Sequence, residues 1–201
     1  MTGGPTVFVV DDNPGLRRSL QELLESAGLA AETYSSAQDF LERYDPQRPG
    51  CMVLDVRLRG QSGLDLQEEL RRRRATLPVI VITGYGDVPT SVRAFKGGAI
   101  DFLEKPVPPK KLVERIREAI AIDQRARAVA TERTAVVDRI ARLTPRERQV
   151  MDLLAMAQAS KEIAAKLKIS LRTVEGHRRA VLRKMGVSSA AELARAVARL
   201  E

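Results

Sequence analysis

Tryptophan is absent from this 201-residue chain, cysteine and histidine occur once each, and aromatic residues make up 3%. Each scarcity excludes something. The lone cysteine, Cys51, forbids an internal disulfide, and no Cys/His spacing suits zinc. Cys51 opens an apolar run and reads as a small hydrophobe. The lone histidine, His177, has no catalytic acid/base partner evident near it in sequence, no Ser/His/Asp set is evident, and His177 is not expected to be catalytic. With so few aromatics, stacking on single-stranded bases is not expected to dominate any nucleic-acid contact. There is no Gly-rich nucleotide loop. No apolar run reaches membrane-spanning length, and residues 1–20 lack the basic-then-apolar pattern of a signal peptide. A cytoplasmic location without membrane contact is therefore expected.

Charge is plentiful and unevenly placed. Residues 1–108 carry 13 Lys/Arg against 15 Asp/Glu, residues 109–141 carry 8 against 5, and residues 142–201 carry 13 against 6. A slightly acidic front and a strongly basic back suggest two domains with different partners, the second suited to nucleic acid.

The front alternates strand and helix patterns. Thr6-Val7-Phe8-Val9-Val10 is a β-rich apolar run ending in Asp11-Asp12, and Asn13-Pro14 starts a helix that Gly28 stops. A short strand at 31–34 is followed by a helix that Ser35 or Ser36 can cap. Cys51-Met52-Val53-Leu54 runs directly into Asp55. Leu64, Leu66 and Leu70 mark a helix ending in Arg71–Arg74, read as a solvated helix end or an anion site. Pro78–Thr83 is another strand, Asp87-Val88-Pro89 begins a helix, and Ile100–Leu103 precedes Glu104-Lys105-Pro106. Strand and helix repeated five times predict a five-stranded parallel sheet, doubly wound, with helices on both faces.

Right-handed crossovers bring all strand C-termini to one edge, where open α/β sheets place their ligands. That edge gathers Asp11, Asp12, Asp55, Thr83 and Lys105. Asp55 taken alone could be an ordinary polar residue starting a loop, but the set is far more specific. Three clustered carboxylates repel and call for a cation, and hard oxygen donors suit Mg²⁺. A carboxylate can accept a phosphoryl group as an acyl phosphate, with Lys105 adding positive charge and Thr83 a hydrogen bond.

Residues 6–108 resemble the receiver domain of bacterial two-component response regulators, on Asp11-Asp12, Asp55, Thr83 and Lys105-Pro106 in that order. The resemblance implies phosphorylation of Asp55 by a sensor histidine kinase. It implies Mg²⁺ held by Asp12, Asp55 and the Arg57 carbonyl, with Asp11 acting through water, and a cis Lys105-Pro106 bond. The aromatic of the family's switch is Phe102 here, without the hydroxyl that many relatives carry. Thr83-Gly84-Tyr85-Gly86-Asp87-Val88-Pro89 is similar to the FixJ branch, in which helix 88–97 and strand 100–103 form a phosphorylation-induced dimer face. For Val88, Val92, Phe95 and Phe102 the choice lies between that face and core packing.

No Gly or Pro interrupts Lys110–Leu143, which predicts one long helix. Leu112, Ile116, Ala119 and Ile120 form its inward face, and apolar residues thin out after Ile122. Thr144-Pro145-Arg146-Glu147 is a capped helix start. Helices at 160–167 and 171–185 joined by Lys168-Ile169-Ser170 read as a helix-turn-helix, and Ser189-Ala190-Ala191-Glu192 starts a fourth helix with a capping box. The basic face of the third helix suits DNA, or is simply solvated. Leu143–Arg148, Lys161-Glu162-Ile163-Ala164 and Thr173-Val174-Glu175-Gly176-His177-Arg178 resemble the LuxR/FixJ DNA-binding domain. By that resemblance Glu175, Gly176 and Arg179 face bases, and Lys161, Thr173, His177, Arg178 and Lys184 contact phosphates.

The expected organisation is a receiver at 1–122, a helical linker at 123–141 and an all-α four-helix helix-turn-helix domain at 142–201. The whole resembles a NarL/FixJ response regulator, which implies dimerisation on phosphorylation, binding to double-stranded promoter DNA and contact with RNA polymerase, activating transcription. Two rivals stand beside it. An aspartate-nucleophile phosphatase would need an acid or base beside Asp55, and none is evident, so no enzyme is expected. A constitutive DNA-binding regulator with an inert receiver is the other.

Overall fold

The computed structural model describes residues 4–84 and 86–200, so Tyr85 of the loop motif lies outside the described residues. The chain divides into two compact units, Met1–Arg127 and Ala128–Glu201.

In the first unit, β1 (Thr6–Val10), β2 (Ala30–Tyr34), β3 (Gly50–Asp55), β4 (Val79–Thr83) and β5 (Ala99–Glu104) alternate with α1 (Pro14–Ser26), α2 (Ala37–Arg43), α3 (Gly63–Arg72), α4 (Val88–Lys96) and α5 (Pro109–Ala141). The strands form one parallel sheet in the order β2-β1-β3-β4-β5. Successive side chains leave a strand on opposite faces, so an uninterrupted apolar run fills two cores. Val7, Val9, Cys51, Val53, Ile80 and Ile82 pack with Leu20 and Leu24 of α1 and Leu112, Ile116, Ala119 and Ile120 of α5. Phe8, Val10, Met52, Leu54, Val79 and Val81 pack with Phe40 of α2, Leu66 and Leu70 of α3 and Ala94 of α4. Cys51 is fully buried, and burial pushes its thiol up to about 12, consistent with a filler side chain. The chain steps from β1 outward to β2 and returns to β3 on the other side of β1. The crevice of the doubly wound fold therefore opens between the C-terminal ends of β1 and β3.

Local signals define the element ends. Asn13 caps α1 through its Oδ1, which accepts from the Gly15 and Leu16 N–H groups, and Ser36, not Ser35, caps α2. Gly50 is a required glycine: its φ is +153°, and a Cβ there would lie 1.9 Å from the Thr6 carbonyl oxygen. α5 stays docked beyond Ile122. Asp123 is fully buried, accepting the Gly50 N–H at 2.9 Å, and both of its oxygens accept from Arg127 Nε at 3.0 and 2.8 Å. Arg127 in turn donates to the carbonyls of Pro46, Gln47 and Arg48. This carries the first unit to Arg127, past the boundary expected at 122.

In the second unit the end of α5 joins α6 (Pro145–Ala155), α7 (Ser160–Leu167), α8 (Leu171–Met185) and α9 (Ala190–Ala198) around Ile140, Val150, Leu154, Ile163, Val174, Val181, Met185 and Leu193. Thr144 and Glu147 form the expected capping box of α6. α7 ends at Lys168 in the left-handed region, φ 55°, and Ser170 Oγ accepts the Thr173 N–H at 3.1 Å to start α8. The capping box expected at Ser189 is not formed as such. Ser189 does cap α9, but Glu192 accepts from the Ser188 N–H and hydroxyl, one residue earlier.

Candidate functional site

The strand ends of the first unit build one site. Ligand oxygens of Asp11, Asp12 and Asp55 all lie within 4.8 Å of one another. Asp11 is fully buried. Its Oδ1 accepts the Asn13 N–H at 2.8 Å, its Oδ2 accepts from Lys105 Nζ at 2.8 Å, and its backbone carbonyl accepts from Arg17 at 2.7 Å. Lys105 Nζ also reaches Asp55 Oδ2 at 3.0 Å. Lys105 follows β5, its N–H donating to the Thr83 carbonyl at 2.8 Å, and the Lys105-Pro106 bond is cis. Thr83 is buried at the end of β4.

Burial pushes the Asp55 carboxyl above its ordinary value. Hydrogen bonding and charge from Lys105 oppose that, the Asp11 charge adds to it, and the Arg57 backbone N–H opposes it. Burial by itself would depress the Lys105 ammonium. Its hydrogen bonds to Asp11 and Asp55 outweigh that and hold it above its ordinary value. The set therefore carries more negative charge than its own lysine balances, and its donors are all hard oxygens. That chemistry fits a small divalent cation.

Sequence reasoning named these acids, Thr83 and Lys105, and the fold brings them together. It missed the residues that aim them. Gly63 N–H donates to the Val56 carbonyl at 2.9 Å, and a Cβ on Gly63 would lie 1.9 Å from the Asp55 carbonyl oxygen. Only a glycine lets α3 begin this close to the acceptor strand. Arg17 and Arg59, whose Nε lies 3.5 Å from Asp12 Oδ2, also have no distinguishing sequence signal.

Core packing does not describe the outer face of α4. Val88, Val92 and Phe95 are 75%, 45% and 52% exposed, and Ala94 alone is buried among the α4 residues. Phe102 on β5 is half-buried, its ring packed at the edge of the core formed with α2, α3 and α4. Three large apolar side chains on one short helix make a surface feature, not part of the core.

In the second unit, Lys161, Thr173, Gly176 and Arg179 are exposed, and Glu175, His177 and Arg178 are half-buried. Arg178 donates to Ser160 Oγ at 3.4 Å, linking α8 to the start of α7. A Cβ at Gly176 would meet nothing within 4 Å, so packing does not demand glycine there. Lys184 Nζ lies 2.6 Å from Glu147 Oε2 and 3.4 Å from the Arg142 carbonyl oxygen. The Lys184 ammonium beside Glu147, helped by the Thr144 N–H, pulls the Glu147 carboxyl down to about 2. Charge spacing along α8 does not reveal that a buried acid on α6 faces Lys184.

A doubly wound domain with an acid-and-lysine site at its switch point, joined to a basic helix-turn-helix unit, defines a two-part regulator of the receiver and DNA-binding type. Comparison with known proteins agrees for both parts. Residues 7–117 match the family described as response regulator receiver domain, and residues 141–197 match the bacterial regulatory proteins of the luxR family. Transcriptional regulatory protein FixJ of Azorhizobium caulinodans is 46% identical over 189 residues, covering 94% of this chain and 90% of that protein. Nodulation protein W of Bradyrhizobium diazoefficiens is 42% identical over 189 residues, covering 94% and 83%. Among solved structures, the response regulator StyR matches with a TM-score of 0.90 at 39% identity, covering 98% of this chain and 100% of that one. Full-length FixJ from B. japonicum matches with a TM-score of 0.60 at 38% identity, covering 100% and 98%. The chain belongs to the NarL/FixJ family of two-component response regulators, DNA-binding transcriptional regulators with a receiver and a LuxR-type domain. Members of this family are typically not enzymes. Among the described residues no helix is long and apolar enough to cross a membrane.

Proposed function

We propose that Asp55 is the phosphoacceptor of this regulator and that its phosphorylation drives dimerisation and promoter binding in the cytoplasm. The observation that carries this reading is the Asp11–Lys105–Asp55 arrangement, in which one ammonium bridges two carboxylates at 2.8 and 3.0 Å. An Asp55 oxygen attacks the phosphorus of a phosphohistidine on the sensor kinase. The P–N bond breaks and its electron pair leaves with the imidazole. Lys105 turns from Asp55 toward the new phosphoryl oxygens, and Thr83 donates its hydroxyl to one of them. Asp12, Asp55 and the Arg57 carbonyl would hold Mg²⁺, with Asp11 acting through water. When bound, that ion would neutralise charge on the transferred group.

The exposed Val88, Val92 and Phe95, with Phe102 at the edge, supply an apolar dimer face. Paired chains then present two copies of α8 to half-sites on double-stranded DNA. Glu175, Gly176 and Arg179 read bases, and Lys161, Thr173, His177 and Arg178 hold phosphates. Activation through RNA polymerase is the outcome this family resemblance favours. The test is sedimentation velocity with Mg²⁺, before and after beryllofluoride as an aspartyl-phosphate mimic. A monomer-to-dimer shift is expected, absent in Asp55→Asn and in Phe95→Asp. A dimer in both states would favour the constitutive regulator with an inert receiver.

A further inference from the structure

We propose that Arg59 is a displaceable counter-ion of the acidic site, holding Asp12 while no divalent cation is bound and releasing it when one binds, so that Arg59 sets the site's cation affinity. The inference rests on the reading of Asp11, Asp12 and Asp55 as a Mg²⁺ site.

The three carboxylates meet two cations of unlike kind. Lys105 is inserted between Asp11 and Asp55, its side chain 24% exposed and its Nζ within 3.0 Å of both. Arg59 stands on the loop between β3 and α3, and its side chain is 85% exposed. Its Nε lies 3.5 Å from Asp12 Oδ2, and among the described residues this is the one ion pair at Asp12. The division of labour follows from geometry. Asp11 is committed on both oxygens, to the Asn13 N–H and to Lys105, whereas Asp12 is 31% exposed and faces the loose partner. An incoming cation therefore meets least resistance at Asp12, and what it must displace there is the Arg59 guanidinium.

The Arg59 guanidinium competes with an incoming cation for Asp12. Its hold is weak, because an exposed ion pair gains little over water. The device is therefore a trim on affinity rather than a lock. It lowers cation affinity by about two- to five-fold at low ionic strength, and salt screens it away. Once released, the long side chain remains at the rim of the site, where it adds positive charge near an arriving phosphoryl donor.

The test is a Mg²⁺ titration of the full-length protein followed by ¹H–¹⁵N NMR, for wild type and Arg59→Gln. Arg59 is exposed and makes no core contact, so the variant is expected to fold. The expected result has three parts. Arg59→Gln binds Mg²⁺ about two- to five-fold more tightly at low salt. The difference fades in high salt. In wild type, the Arg59 Nε–Hε resonance moves with the same midpoint as the backbone of Asp12. Equal affinities for the two proteins, or an Arg59 resonance that ignores Mg²⁺, overturns the role of Arg59 and leaves the metal site standing. Wild-type protein that binds no Mg²⁺ overturns the site reading itself, and this inference with it.

Discussion

Asp123 is the acid of the first unit farthest in function from signalling and the most committed to structure, and truncating it to alanine gives a sharp expectation. The carboxylate is fully buried, with Oδ2 accepting the Gly50 N–H at 2.9 Å and both oxygens accepting from Arg127 Nε. Asp123→Ala leaves the buried Gly50 N–H without its acceptor, a loss of about 1–3 kcal/mol. It also removes the Asp123 carboxylate from the Arg127 guanidinium. Breaking a buried pair costs about 3–5 kcal/mol, but the Arg127 side chain is 24% exposed and regains water, so the lower end applies. The two estimates describe overlapping losses and converge on about 3 kcal/mol, equivalent to roughly 10 °C for a unit of this size. Asp123→Asn keeps an acceptor for Gly50 and is expected to lose about half as much. The assay is urea unfolding of the full-length chain followed by tyrosine fluorescence. Tyr34, Tyr44 and Tyr85 all lie in the first unit and the chain has no tryptophan, so the signal reports that unit alone. A loss below about 1 kcal/mol for Asp123→Ala would refute the reasoning, since it would mean that water replaces both partners without penalty.

Two further outcomes are expected. Glu147, held at about 2 against an ordinary 4.5, contributes stability that is complete above pH 4.5 and disappears as pH falls toward 2. The second unit should lose stability across that window, and Glu147→Gln should flatten the loss; helical circular dichroism under urea at pH 5 and pH 2.5 reads both. Gly176→Ala should stabilise α8 by about 1 kcal/mol, because its Cβ meets nothing and alanine is the better helix former. The same change should weaken promoter binding in a fluorescence-anisotropy titration, and a variant that is both more stable and fully competent on DNA would remove Gly176 from the base-reading face.

Much of this protein is written in local pattern. A five-residue apolar run bounded by turn residues has few ways to satisfy its backbone other than a buried strand. Asn13, Ser62, Thr144 and Ser170 cap helices because a short polar side chain can reach the N–H two or three residues on. Right-handed crossovers are a property of L-amino-acid chains, so the order of strands already implies that Asp11, Asp12, Asp55, Thr83 and Lys105 share one edge. The helix-turn-helix is equally local, three residues between two amphipathic helices. What only the tertiary structure decided are relations between residues distant in sequence, where no periodicity carries information. Asp123, in a stretch that reads as a thinning and solvated helix, is buried because the turn before β3 brings the Gly50 N–H to it. Lys184, one basic residue among several on α8, is taken by Glu147 of α6, 37 positions away. Val88, Val92 and Phe95 have the composition of a core and the exposure of a surface, since only one face of α4 meets the sheet. Gly63 must be glycine because of the Asp55 carbonyl, and Arg59 is set against Asp12 by a loop whose path the sequence pattern does not specify. Hydrogen-bonding and steric rules that act within one turn of helix or one strand are legible in the chain itself. Distances across the fold, and the partners that buried charges find there, emerge when the sheet and helices pack.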